Sequence, residues 1–74
     1  MNWKLVEHDW MNFKVRVKTR WRNLTHRQLD LIAGSRGQLV VAVQAAYGMS
    51  SQQAEDEIRR FEECNKNYRP ALGR

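Results

Sequence analysis

Hydrophobic side chains recur every three or four residues through the first third of the chain: Trp3, Val6, Trp10, Phe13, Val17, Trp21 and Leu24. At helical pitch they fall within a sector of about 80°, the width of one buried helix face. The pattern predicts either one long helix or a short helix followed by a longer one. A break would fall at Glu7-His8-Asp9, with Asp9 as N-cap of the second piece. Thr25 and Gln28 then stand at capping-box spacing, with Leu24 and Leu29 as the matching hydrophobic staple. A helix therefore starts near His26, turns Leu29, Ile32 and Ala33 inward, and ends at Gly34.

Two more helices follow by the same punctuation. Ser35 and Gln38 repeat the box spacing before a helix that runs through Leu39, Val40, Val43, Ala46 and Tyr47 and stops at Gly48. Ser50 and Gln53 repeat it again, with Met49 and Ala54 as staple, before a helix that buries Ala54, Ile58 and Phe61. On its outer face Glu55/Arg59 and Asp56/Arg60 stand four residues apart, in the order that favours pairing. No run of β-branched residues alternates with period two, so no strand is expected. The short connections predict tight helical hairpins.

Seventy-four residues allow one domain with a modest core, too small for a large internal active-site cavity. Residues 1–65 form the expected domain, and 66–74 are expected to be a flexible basic tail ending the last helix near Asn65, Lys66 and Pro70. The single cysteine, Cys64, excludes an internal disulfide and a thiolate zinc site, and suits a reducing cytoplasm. Lys4, Glu7 and Asp9 interrupt the apolar stretch that a secretory signal needs. The longest apolar run, Leu39 to Val43, is far short of the ~20 residues that span a bilayer. Cytoplasmic localisation is the resulting expectation.

The net charge of +5 is unevenly placed. Residues 1–36 hold eight basic and three acidic side chains, 37–65 hold two and five, and 66–74 hold three and none. Such asymmetry favours contact with polyanions or head-to-tail self-association, against the plainer reading of a solvated surface. The basic run Lys14, Arg16, Lys18, Arg20 and Arg22 is the sharpest feature. On a helix, Lys14, Lys18 and Arg22 line one side of the apolar stripe, and Arg16 and Arg20 the other. Long cationic chains in these places can simply cover the core edge. The same layout suits phosphate backbones or an anionic membrane surface. Arg27, Arg36, Lys66 and Arg69 could extend it.

Several of these residues together resemble a known pattern. Trp10, Phe13, Lys14, Arg16, Val17, Lys18 and Trp21, then Leu24, Thr25, Leu29, Ile32, Gly34, Arg36, Gln38, Leu39 and Val40, match the CsbD-like family of small bacterial proteins. Val43, Gln44, Tyr47, Gly48, Ala54, Glu55, Ile58 and Phe61 continue the match in register over residues 3–61. The resemblance implies an all-α, compact bundle of about four short helices, packed as two crossed helical hairpins of the SAM-like kind. It also implies association with general stress responses and brings no catalytic residues. Val15 and Arg22 stand where the family has glycine, His26-Arg27-Gln28 where it has an acidic turn, and Ser35 where it has lysine.

Candidate chemistry adds little. His8 and His26 have no neighbouring ligands at metal spacing. Cys64 lies among Glu62, Glu63 and Lys66, a setting that disfavours a nucleophile. No glycine pattern for phosphates or dinucleotides is present. The aromatics share the aliphatic stripe and read as core. A helix-turn-helix around Gly34 would make Leu39–Tyr47 the recognition helix, but that segment is apolar, so any DNA contact would be nonspecific and backbone-directed. No catalytic, cofactor or metal residues are assigned, and no cofactor is expected. The expectation is a non-catalytic stress-associated protein of unknown molecular activity. The alternatives are a nonspecific nucleic-acid binder and a self-associating or membrane-peripheral module. Lys14, Arg16, Lys18, Arg20, Arg22, Arg27 and Arg36 are the candidate polyanion contacts.

Overall fold

Five helices, all that the described residues 1–68 contain of regular structure, appear in the computed structural model. They are α1 (Trp3–His8), α2 (Trp10–Arg20), α3 (His26–Ile32), α4 (Arg36–Tyr47) and α5 (Ser51–Cys64). The all-α expectation holds, with five helices in place of about four. The extra one arises because the first stripe is broken at Asp9, whose φ of −115° and ψ of 28° interrupt helical geometry. Asp9 is the N-cap residue of α2, but its carboxylate does not cap a backbone N–H. It accepts instead from the Asn12 side chain at 2.9 Å and from the Tyr68 hydroxyl.

The stripe survives the break. Val6, Trp10, Phe13, Val17, Trp21 and Leu24 are all buried, and Trp3 is half-buried at the edge. They meet Leu29 and Ile32 of α3, Leu39, Val40 and Val43 of α4, and Ala54, Ile58 and Phe61 of α5 in one core. Phe13 lies at its aromatic centre, with ring centroids 5.7 Å from Phe61, 4.7 Å from Tyr68 and 6.5 Å from Trp3, all edge to face. Trp10 donates its indole N–H to the Leu29 carbonyl at 2.9 Å, which also accepts the Ala33 N–H at 3.2 Å, so α2 is tied to the last turn of α3.

Thr25 and Ser50 form complete capping boxes with Gln28 and Gln53. Ser35 forms half of one: its hydroxyl accepts from the Gln38 N–H, but Gln38 returns nothing. The reason is the tight turn before α4, in which the Ser35 N–H already donates to the Ile32 carbonyl at 2.8 Å. That turn also changes the fate of Ala33, which is exposed and left-handed (φ 47°) as C-cap of α3 rather than inward-facing. Gly34 follows at φ 84° and is buried against α1: a Cβ there would lie 2.6 Å from the Glu7 Cα. Tyr47 is exposed at the end of α4 and accepts a hydrogen bond from the Asn23 N–H at 3.2 Å.

The surface pairs on α5 also differ. Arg59 and Arg60 reach back three residues, to Asp56 at 3.7 Å and Glu57 at 3.9 Å, while Glu55 faces Arg36 of α4. The packed chain continues past residue 65. Asn65 is buried, and Tyr68 packs on Phe13 and donates to Asp9. Residues 66–68 of the expected tail therefore return to the domain. The rest of it, with Arg69 and Pro70, lies outside the described residues.

Candidate anion-binding surface

Helix α2 has a second face. Opposite the buried Trp10, Phe13 and Val17, the side chains of Met11, Val15 and Thr19 succeed one another at four-residue steps and point to solvent. Met11 is 73% exposed and Val15 60%. Val15 and Thr19 border two shallow grooves at once. The groove toward α3, about 470 Å³, is lined by Lys14, Lys18, Arg22, His26 and Leu29 as well. The groove toward α5, about 400 Å³, is lined by Arg16, Arg20, Phe61, Cys64 and Asn65. The two cation rows expected from helical spacing thus stand on either side of one exposed crest.

Most of these cations are already engaged. Lys18 donates to the Leu24 carbonyl at 2.6 Å and the Arg22 carbonyl at 2.9 Å, tying down the turn that follows α2. Arg16 donates to the Asn65 side chain at 2.8 Å and lies 4.9 Å from the Tyr68 ring centroid. Asn65 in turn donates to the Phe61 carbonyl at 2.8 Å, so Arg16 is held by the end of α5. Arg20 pairs with Glu57 and lies over the Trp21 ring. Lys14 stands 3.7 Å from the largely exposed Asp30, a pairing of little energetic weight. The side chains of Arg22 and Arg27, both exposed, make no hydrogen bond or ion pair among the described residues.

Arg36 plays a different part from the one its charge suggested. It is outside both grooves and bridges Glu55 at 2.9 Å and Glu62 at 3.0 Å. Its hydrogen bonds to Glu62 and then Glu55 raise its already high pKa further. Burial alone would lift the Glu62 carboxyl, but hydrogen bonds from Arg36 and from the Trp3 indole (2.8 Å) hold it below its ordinary 4.5. Glu62 therefore joins α1, α4 and α5. Sequence reasoning missed this hub, because nothing in the local spacing marks a carboxylate that meets Trp3 from 59 residues away. It also missed the crest of Met11 and Val15, whose signal was present: two apolar residues four apart on the side opposite the stripe.

Among the described residues, no three His, Cys, Asp or Glu side chains are grouped to hold a metal ion. None of the described helices is long and apolar enough to cross a membrane. The molecule is thus a small all-α module with a basic, partly apolar face along α2. By sequence the chain belongs to the UPF0337 family, the CsbD-like family. It is 35% identical over 71 residues to a UPF0337 protein of Nitrosomonas europaea, covering 95% of this chain and 76% of the relative. It is 40% identical over 66 residues to a UPF0337 protein of Protochlamydia amoebophila, covering 89% of this chain and all of the relative. With the UPF0337 protein YjbJ of Escherichia coli it shares 40% identity over 58 residues, covering 78% of this chain and 84% of that protein. No family model matches the chain, and no solved structure matches it significantly.

Proposed function

We propose that this chain is a non-catalytic bacterial stress-response protein that acts in the cytoplasm by binding an anionic partner through the solvent face of α2. One observation carries the binding part. Lys14, Arg16, Lys18, Arg20 and Arg22 flank one exposed crest, and among the described residues only Asp30 and Glu57 pair with them. Family membership supports the stress-associated part. Binding to heparin, a generic polyanion, tests the first. Retention at about 50 mM salt that is lost by about 200 mM, and lost at low salt in the Arg16→Gln/Arg22→Gln variant, supports it. Absence of binding at low salt refutes it. Abundance of the protein before and after salt shock and starvation tests the second, and an unchanged level counts against it.

Nucleic acid is a second reading of the same charge. Its support lies in Arg22 and Arg27, whose guanidinium groups are exposed and unengaged among the described residues. Arg36 gives it little, since its charge is taken up by Glu55 and Glu62. Titration of duplex DNA at two salt concentrations tests it.

A further inference from the structure

The crest between the two cation rows is apolar, and this selects among anionic partners. We propose that the solvent face of α2 docks on an anionic lipid surface, with Met11 and Val15 entering the headgroup layer and Lys14, Arg16, Lys18, Arg20 and Arg22 contacting lipid phosphates. The inference rests on the binding reading above and names its partner.

Three features argue for it. First, two of the exposed positions of α2 are large hydrophobic side chains: Met11 at 73% and Val15 at 60%. A rigid polyanion such as a nucleic-acid duplex meets such a crest as an obstacle between its phosphates and the cations. An interface of headgroups and acyl chains takes it in and removes apolar surface from water. Second, the cations stand on both flanks, Lys14, Lys18 and Arg22 on one and Arg16 and Arg20 on the other. That is the arrangement of a helix lying in the plane of a charged interface. Third, several of these heads are pre-ordered from within the protein. Asn65 and the Tyr68 ring hold Arg16, and the Leu24 and Arg22 carbonyls hold Lys18. Binding therefore orders fewer side chains than it would on a mobile segment. The α2 backbone is already helical, so docking needs no coupled folding.

Co-sedimentation with vesicles tests the proposal, comparing wholly zwitterionic vesicles with vesicles carrying about one-third anionic lipid. Binding is expected to the anionic vesicles alone and to weaken with salt. Arg16→Gln/Arg22→Gln is expected to lower partitioning by about 30-fold, near fivefold for each cation lost. Met11→Ser/Val15→Ser leaves every charge in place and is expected to lower it by about tenfold or more. Both Ser substitutions are at exposed positions, and unchanged circular dichroism shows that the fold is kept. Equal partitioning of the Ser variant and the parent overturns insertion of the crest. Heparin or DNA binding without vesicle binding overturns the lipid inference and leaves the anion-binding reading standing. Failure on all three probes overturns both.

Discussion

Among the described glycines, Gly34 is the one least tolerant of an added methyl group. Its φ of 84° is one that L-residues adopt at a cost of about 1–2 kcal/mol. The added Cβ of Gly34→Ala would also lie 2.6 Å from the Glu7 Cα and 3.1 Å from the Glu7 N, where ordinary contact begins at 3.4 Å. Those are backbone atoms and cannot rotate away, so α1 must shift by close to an ångström. α1 resists, because Val6 is buried in the core and the Trp3 indole is bonded to Glu62 at 2.8 Å. Overpacking of this kind adds about 1–3 kcal/mol. The total, about 2–5 kcal/mol, is a large part of the roughly 4–11 kcal/mol expected of a domain this size. Two other glycines separate the contributions. Gly48 has φ 62° with nothing within 4 Å of its Cβ position, so Gly48→Ala isolates the backbone cost of about 1–2 kcal/mol. Gly37 is in the first turn of α4 with open space around it, so Gly37→Ala is expected to stabilise by about 0.5 kcal/mol. Urea unfolding followed by far-UV circular dichroism ranks the three. A Gly34→Ala loss no greater than that of Gly48→Ala refutes the close approach of α1 to the α3–α4 turn.

Two further predictions concern titrating groups. Glu62 has a folded-state pKa below its ordinary 4.5, so its contribution is present above that pH and is lost as pH falls through the folded value. Glu62→Gln is expected to cost about 1 kcal/mol at neutral pH and to make the loss of stability below pH 4.5 shallower. Superimposable acid limbs for parent and variant in pH-dependent thermal melts count against the hub. The Tyr68 phenol is pushed up from 10.0 to about 12, by burial first and then by the Asp9 hydrogen bond and charge, with Arg16 opposing. A raised pKa favours the protonated form in the folded state, so this stabilisation is full below pH 10.0 and lost as pH rises toward about 12. Tyr68→Phe is expected to cost about 1 kcal/mol at neutral pH and to flatten that alkaline loss. A spectrophotometric titration in which Tyr68 ionises at 10.0 shows that it is not clasped to Asp9.

The helices themselves were legible because their signals are local. Thr25 with Gln28 and Ser50 with Gln53 satisfy backbone donors within one turn, and the stripe from Trp3 to Leu24 needs only helical pitch to select a face. The two cation rows flanking α2 follow from the same pitch. What spacing did not show is which competing partner each polar group takes. Ser35 forms half a box because the preceding turn uses its N–H, and Glu55 chooses Arg36 of α4 over Arg59 on its own helix. Arg36, read as a candidate anion contact, is consumed between two carboxylates of α5. Tyr68, read as tail, closes over Phe13 and Asp9. Periodicity and capping act over a few residues and are written in the chain. Ion pairs, hydrogen bonds to remote carbonyls and the approach of α1 to Gly34 depend on distances that exist only once the helices have packed.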